Sequence, residues 1–290
     1  MVHSPENLPM TRPDPQPPPE HTLRRLSSTR LRGGTTRANR ATDARSAASE
    51  AGTTSAAEKS GPAETVAPLL PDRARHPAAI AVACCAVVVG VLGVFAANSA
   101  RGNAVDRPVD SWLRQNLAAH HRVVSDVAYL GGSQIGIVLA AALVLACLLA
   151  RRVNGAVLTL VSVLVSLGLT EFVLKPLVHE TISGSLTYPS GHTASVFTLT
   201  AVVGVLMLNP PRQRPRRSVR ALLMVALVVI SCAVAVATVA LNYHYFTDTI
   251  AGAALAAGVV LAATFPLDTA AVRRKLAVAT PGWLKPRPPA

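Results

Sequence analysis

The sequence predicts an all-α protein, a bundle of six transmembrane helices preceded by a disordered tail. Half of the 290 residues are hydrophobic and only 15% are charged, whereas soluble domains average about 25% charged residues. The apolar residues are concentrated in six stretches that approach or reach the ~20 residues needed to cross a hydrocarbon core. The charged and Pro-rich sequence lies in one N-terminal block and in the gaps between these stretches.

The N-terminal block, residues 1–78, is rich in Pro, Ser, Thr, Ala and Arg and has little apolar periodicity. A segment of this composition cannot bury enough apolar surface to offset the entropy lost on ordering. We therefore expect a disordered cytoplasmic tail, which is too long and too mixed in charge for the n-region of a signal peptide. The rest divides into a membrane domain, 79–266, and a basic cytoplasmic C-terminal tail, 267–290.

The six apolar stretches carry aliphatic residues on all sides, which distinguishes them from the amphipathic helices of soluble proteins. Glycine and alanine are frequent within them, and small residues allow membrane helices to approach closely. In order, the predicted spans are Ala79–Asn98, Ser133–Ala150, Gly155–Leu174, Thr193–Leu208, Ala221–Leu241 and Thr249–Phe265.

The basic residues alternate between the gaps in a way that predicts the topology. With six spans, the even-numbered gaps and both ends of the chain fall on one side, and these carry most of the arginines. The positive-inside rule then predicts a multi-pass protein of the cell membrane with both termini cytoplasmic. The net charge of +13 is largely topological, and no basic cluster interleaved with aromatic residues indicates a nucleic-acid partner. The basic residues on the predicted cytoplasmic side include Arg151, Arg152, Arg212, Arg214, Arg216, Arg217, Arg220, Arg273, Arg274, Lys275, Lys285 and Arg287.

Two other features bear on the class of protein. The four cysteines all fall within predicted spans and are expected to be small core residues rather than disulfides or zinc ligands. We expect neither a metal nor a cofactor. Between spans 1 and 2, residues 105–124 have apolar residues at near-helical spacing. They form either a helix in the outer interface or an ordinary connecting loop.

Three polar groups of residues lie at the outward ends of spans 3–6. They are Lys175–Glu180, Tyr188–Thr193 and Asn242–Asp248. Ionisable residues are costly at the boundary of a membrane and therefore indicate a functional site.

The second group has the features of an anion site at the start of a helix. Ser190 is a good N-cap for span 4, and Gly191 permits a ligand to approach the backbone. The free N–H groups and the positive dipole end of a helix start bind anions. His192 is expected to project beside a bound anion such as a phosphate.

The third group places a histidine and a carboxylate four positions apart. Asp248 is expected to hold one ring nitrogen of His244 and leave the other as a base or nucleophile, and Thr247 is expected to cap span 6. Lys175 adds a positive charge at the exit of span 3. The alternative is that these residues have structural roles only. Glu171 would then pair with Lys175 at i,i+4, and Asp248 would only complement a helix dipole.

These groups, Lys175, then Pro189–His192, then His244 and Asp248, resemble the motifs of the type-2 phosphatidic acid phosphatase (PAP2) superfamily. The resemblance covers roughly residues 120–265. It implies metal-free hydrolysis or transfer of a phosphomonoester, with His244 as the nucleophile that forms a phosphohistidine. It further implies that Asp248 orients His244 and that His192 is the general acid. The residues that it assigns to holding the phosphoryl oxygens are Lys175, Ser190 and Gly191.

The chain lacks both arginines of the PAP2 pattern. Ile182-Ser183 stand where the first motif has Arg-Pro, and Ala237-Thr238 stand where the third motif has Ser-Arg. Arginine gives bidentate, charge-assisted bonds to phosphate that neutral residues cannot reproduce. The substitutes that we considered are Thr238, Asn242, Thr181, His179 and an arginine between spans 1 and 2.

The leading hypothesis is a membrane phosphatase or phosphotransferase that acts on a lipid phosphate or diphosphate at the extracytoplasmic face. The alternative is a non-catalytic lipid-phosphate binder or membrane scaffold on the same fold, which the missing arginines favour. A transporter has no support, because neither paired broken helices nor inverted halves are visible. The partners predicted are the lipid substrate and the bilayer. The sequence gives neither the head group nor the oligomeric state.

Overall fold

The computed structural model describes residues 68–208 and 216–284. A π-helical turn, Leu169–Leu174, joins α5 to α6, and the short strands β1 (Thr181–Ile182) and β2 (Ser185–Leu186) form an antiparallel hairpin. Short 3₁₀ turns cover Ala118–His120 and Gly282–Leu284. The helices are α1 Asp72–Ala96, α2 Asp106–Leu117, α3 His121–Tyr129, α4 Ser133–Leu149, α5 Val153–Gly168, α6 Lys175–Val178, α7 Gly191–Leu208, α8 Arg217–Ala240, α9 Phe246–Leu267 and α10 Ala270–Ala279.

Five of these helical segments are long and apolar enough to cross a membrane: α1, the continuous segment Val153–Val178, α7, α8 and α9. A sixth span arises if α2–α3 and α4 are counted together, across a bend of 44°. The six predicted spans correspond to α1, α4, α5, α7, α8 and α9, which confirms the helical membrane fold class. The chain is thus a multi-pass membrane protein.

The bundle presents apolar side chains outward and places hydroxyl groups inside. Leu149 is 76% exposed and Phe172 is 80% exposed, as lipid-facing residues of a membrane helix would be. Inside, the Thr198 hydroxyl donates to Ser166 Oγ over 3.0 Å, and the Thr200 and Ser231 hydroxyls are 2.9 Å apart. Small residues and hydroxyl bonds between helices are the usual means by which membrane helices associate.

Helices α7 and α9 begin side by side, and a glycine permits their close approach. A Cβ atom at Gly252 of α9 would lie 2.6 Å from the Ser190 carbonyl oxygen, just before α7. The Ser190 N–H donates to the Asp248 carbonyl over 3.0 Å. The two predicted histidine motifs are therefore brought to the same end of the bundle.

Helix α2 fixes the start of α9 with two carboxylates one helical turn apart. Asp106 accepts the Thr247 N–H at 2.8 Å, and Asp110 accepts the Phe246 N–H at 3.1 Å. Residues 105–124 are thus largely helical and serve to cap α9. Thr247, expected as the cap itself, lies inside α9 and donates its hydroxyl to Asp106. These contacts satisfy backbone donors that a helix start otherwise leaves unpaired.

At the opposite end of α9, Asp268 binds the residues that precede α1. Its carboxylate accepts the N–H groups of Leu69 and Leu70 at 2.6 and 2.9 Å, and both leucine side chains are buried. Helix α1 begins at Asp72, before the boundary that composition placed at residue 78. The charged residues of its first turns made this part of the helix resemble the tail.

Other sequence predictions fall on residues outside the described part of the chain. They are the tail up to residue 67, Arg212 and Arg214 of the gap between spans 4 and 5, and the basic residues Lys285 and Arg287.

Candidate active site

The three polar groups converge on a cavity of about 850 Å³ at the end of the bundle where α7 and α9 begin. Four of the six predicted site residues line this cavity, namely Lys175, Gly191, His192 and His244. The other two, Ser190 and Asp248, are fully buried.

The start of α7 has the predicted form of an anion site. Ser190 Oγ accepts the Thr193 N–H at 3.3 Å, and the Ser190 carbonyl accepts the Ala194 N–H at 2.9 Å. The N-cap prediction for Ser190 agrees with this geometry. The N–H groups of Gly191 and His192 belong to the first turn, which has no intrahelical acceptors for them. A bound anion can therefore accept hydrogen bonds from two backbone N–H groups, and the positive end of the helix dipole stabilises its charge.

The ring of His244 is held differently from the prediction. Its Nδ1 lies 3.0 Å from the Thr187 carbonyl oxygen and 3.8 Å from Asp248 Oδ2. Asp248 Oδ2 instead accepts the N–H of Tyr245 at 3.0 Å, within the first turn of α9. Because a carbonyl can only accept, Nδ1 carries a proton, and in the neutral form of the ring Nε2 is the nitrogen that holds the lone pair. Asp248 is a nearby negative charge for the ring rather than its direct hydrogen-bond partner.

The second histidine lies beside the first. The rings of His192 and His244 are 5.8 Å apart between centroids and meet edge to face, with an interplanar angle of 64°. The centroid of the Tyr243 ring lies 6.1 Å from that of the His192 ring. Two imidazoles therefore share one cavity, which is the arrangement needed for one to act as nucleophile and the other as acid.

Lys175 is paired inside the cavity. Its Nζ lies 2.7 and 2.8 Å from the two carboxylate oxygens of Glu171. The i,i+4 ion pair that the sequence offered as an alternative is therefore present. Glu171 Oε1 also lies 3.2 Å from the position that a Cβ at Gly191 would take. The carboxylate thus occupies the space between the ammonium group and the start of α7. It belongs to the π-helical turn, a feature often found at functional sites.

Residues 133–269 match the model of the PAP2 superfamily. Over this range the chain is similar to the PAP2 superfamily. The match contains all the predicted site residues and runs from α4 through α9. The resemblance inferred from the motifs is therefore confirmed.

One solved structure with a similar fold is the crystal structure of the first transmembrane PAP2 type phosphatidylglycerolphosphate phosphatase from Bacillus subtilis. Its sequence is 18% identical, the TM-score is 0.47, and the alignment covers 66% of this chain and 95% of that one. No curated protein sequence matches the chain.

The positions of the two missing PAP2 arginines differ in their surroundings. Ile182 and Ser183, in the hairpin, line the cavity, so an arginine side chain there would begin at its wall. Thr238 is fully buried within α8, and its hydroxyl donates to the Ala235 carbonyl at 2.8 Å. Thr238 is therefore bound to its own helix and is no substitute for a phosphate ligand.

The other candidate substitutes for the missing arginines differ in their positions relative to the cavity. His179 is exposed, has φ of 55° and ends α6. Thr181 belongs to β1 and does not line the cavity. Asn242 does line the cavity, and its side-chain oxygen accepts a hydrogen bond from the Arg114 guanidinium of α2. An arginine between spans 1 and 2 thus reaches the rim through Asn242, although Lys175 is the sole Lys or Arg among the described lining residues.

Sequence reasoning missed three buried carboxyl groups around the start of α9. Asp106 and Asp110 lie in the segment predicted to be either an interfacial helix or a connecting loop, and their i,i+4 spacing puts both on one helix face. Glu180 ends the first polar group, has no predicted role and is fully buried. Burial, and then the neighbouring Asp248, raise the pKa of Glu180 well above its usual range. No signal in the sequence alone identifies Glu180 as buried.

Proposed function

We propose that the chain is a membrane phosphatase or phosphotransferase that acts on a lipid phosphate or diphosphate at the extracytoplasmic face through a phosphohistidine intermediate. The observation that carries this proposal is the state of His244. Its Nδ1 is bound to a carbonyl at 3.0 Å, which leaves Nε2 as the nucleophilic nitrogen, next to His192 and the start of α7. The match to the PAP2 superfamily supports phosphatase activity at the level of the family.

In the proposed reaction, His244 Nε2 attacks phosphorus while the bond from phosphorus to the leaving oxygen breaks. His192 gives its proton to that oxygen. Water then attacks the phosphohistidine, His192 takes a proton from the water, and inorganic phosphate leaves. The N–H groups at the start of α7, the Ser190 hydroxyl and Lys175 stabilise the charge on the phosphoryl oxygens, which is the largest source of catalysis in reactions of this kind.

The cavity also supports a lipid substrate. Beyond the histidines it continues between α4, α5 and α7, where its wall is formed by apolar side chains. These include Ile137, Val163, Leu167 and Leu199. A hydrocarbon chain attached to the phosphate fits this wall. Ligand sites are commonly lined by apolar side chains that contact the apolar part of the ligand, while a few polar groups fix its orientation.

The test is release of phosphate by the purified full-length protein from phosphatidic acid, phosphatidylglycerol phosphate and a polyprenyl diphosphate. We expect turnover on at least one substrate, and its loss in His244→Ala and His192→Ala. His179→Asn is the matched control, because His179 is exposed and its left-handed backbone suits asparagine. Radiolabelled phosphate should be trapped on histidine in the wild type and not in His244→Ala. Unchanged activity in His244→Ala would disprove the mechanism.

A second candidate is the non-catalytic lipid-phosphate binder. The contact between Lys175 and Glu171 favours it, because a neutralised lysine holds phosphate less strongly than a free one. The test introduces Ile182→Arg, which restores an arginine at a position that lines the cavity. Turnover that appears only in the variant supports a binder. Hydrolysis by the native protein rules out the binder as the main function.

We also propose that the cavity faces outward and that both termini are cytoplasmic. Ser185 is exposed in the hairpin beside the cavity. In a background with the four native cysteines replaced by alanine, Ser185→Cys should react with an impermeant thiol reagent on intact cells. Labelling that requires lysis would reverse the orientation.

A further inference from the structure

Glu180 is a buried acidic group that the proposed reaction does not use. Its side chain lies in the turn between α6 and β1, fully buried, and both carboxyl oxygens lack a donor among the described residues. Asp248 Oδ1 is buried and lacks a donor in the same way. A side-chain hydrogen bond with Asp248 is one cause of the raised pKa of Glu180. The Glu180 carbonyl accepts the N–H of Thr187 at 3.0 Å, and the Thr187 carbonyl in turn holds His244. Two ionised carboxylates in this arrangement would repel each other and leave three oxygens unsatisfied.

The acidic groups around Glu180 already have donors, and Glu180 does not. Asp106 and Asp110, on α2, accept backbone N–H groups from the start of α9. Asp248 accepts the Tyr245 N–H through Oδ2. Hydrogen bonds from a helix start favour the ionised form of a carboxyl group, but burial and the neighbouring Asp106 outweigh this effect at Asp110 and raise its pKa to about 7. Among residues 68–208 and 216–284, Tyr188 and Tyr245 also interact electrostatically with Glu180, and neither offers a positive charge.

We propose that Glu180 is a positioning residue that carries a proton at neutral pH and donates it in a hydrogen bond to Asp248 Oδ1. One proton on Glu180 supplies a donor to Asp248 Oδ1 and removes one of two adjacent buried charges. Burial and the neighbouring carboxylates raise the pKa of Glu180 in the same sense. The positioning role rests on the proposed function, in which His244 is the nucleophile.

The consequence for His244 follows from the geometry of Asp248. Asp248 Oδ2 lies 3.8 Å from His244 Nδ1, so the carboxylate stabilises the positive charge that develops on the ring as phosphorus binds Nε2. The hydrogen bond from Glu180 fixes the orientation of the Asp248 carboxyl group beside the ring, so that the Nδ1 proton keeps its bond to the Thr187 carbonyl. Glu180 acts through Asp248 and touches neither substrate nor the reacting atoms.

Two substitutions test whether Glu180 acts as a neutral hydrogen-bond donor or as a negative charge. Glu180→Gln keeps a donor of the same shape, whereas Glu180→Ala removes it. We expect Glu180→Gln to keep most of the kcat. We expect Glu180→Ala to lose about 10- to 100-fold in kcat with little change in KM, the effect of losing one hydrogen bond to a charged group. Asp126→Asn, an exposed carboxylate on α3, is the matched control.

Two readouts do not need turnover. At neutral pH, the infrared difference spectrum between the full-length wild type and Glu180→Gln should contain the carbonyl stretch of a protonated carboxylic acid, which Glu180 adds to any contribution from Asp110. The Tm of the wild type should fall as the pH rises from the ordinary pKa of glutamate towards the raised folded value, because only the unfolded chain then releases the proton. In Glu180→Gln this fall should be reduced.

The outcomes are distinct. A difference spectrum without an acid band overturns the protonated state of Glu180. Equal loss of kcat in Glu180→Gln and Glu180→Ala shows that the charge matters and also overturns the proposal. A normal kcat in Glu180→Ala, with the band confirmed, overturns the positioning role. A wild type inactive on every substrate disproves the proposed function, while the infrared and Tm results still decide the protonation.

Discussion

Gly252→Ala tests whether the close approach of α7 and α9 sets the geometry of the two histidines. The added Cβ would lie 2.6 Å from the Ser190 carbonyl oxygen, 3.2 Å from the Ala194 nitrogen and 3.3 Å from the Thr193 Cβ. An ordinary carbon–oxygen contact is about 3.3 Å or longer, so the helices must separate by about 0.7 Å. Two of these contacts are with backbone atoms, which cannot rotate away as a side chain can.

The separation moves the start of α7, with Ser190 and His192, away from Asp248 and His244 on α9. A displacement of about 1 Å in an active site can cost about 100-fold in rate, so we expect kcat to fall about 10- to 100-fold. Overpacking of this kind also costs about 1–3 kcal/mol of stability.

The measurements are kcat on the best substrate of the panel and the Tm in detergent. Gly168→Ala is the matched control, because it also lies in a helix and has no atom within 4 Å of the added Cβ. That control should keep its kcat and gain about 0.5–1 kcal/mol from the better helix propensity of alanine. A Gly252→Ala protein with normal kcat, or one indistinguishable from Gly168→Ala, would refute the reasoning.

Three further substitutions test other contacts of the site. Glu171→Gln removes a carboxylate from the phosphate position, so inorganic phosphate should inhibit at about fivefold lower concentration. This corresponds to about 1 kcal/mol for a half-exposed charge, and an unchanged inhibition constant would contradict it. Arg114→Ala releases Asn242 at the rim, so KM should rise while kcat changes little, and steady-state kinetics that show an unchanged KM would exclude a role in binding. Asp106→Ala removes caps from α9 and should lower stability by about 1–2 kcal/mol, measured as Tm against the exposed control Asp126→Ala.

The spans and the motif positions were predictable because each depends on local composition. An apolar stretch of sufficient length has few alternatives to a membrane helix, and Ser190 follows a proline at the start of such a stretch. The boundaries were less predictable, because the first turns of α1 are charged. The burial of the acidic residues of α2 was not predictable, since nothing in a single sequence shows that α2 packs against α9.

The partner of each polar atom could not be predicted, because it depends on how the helices pack. His244 and Asp248 have the right spacing for a direct hydrogen bond, yet the Thr187 carbonyl takes Nδ1. Asp248 is turned towards the backbone of its own helix start. Glu171 was correctly paired with Lys175, since i,i+4 contacts are local, but its position beside Gly191 depends on packing between α7 and the π-helical turn.

The length of α7 has a consequence for which molecules reach the cavity. Its 18 residues span about 27 Å at 1.5 Å per residue, slightly less than the hydrocarbon core of about 30 Å. The start of α7 therefore lies at the depth where acyl chains meet their head groups. A phosphate carried by a lipid arrives at that depth with its anchor, whereas a phosphate ester dissolved in water must first cross the head-group layer. For the proposed activity, the length of α7 would favour substrates whose phosphate lies at that depth in the bilayer, before any contact with the head group.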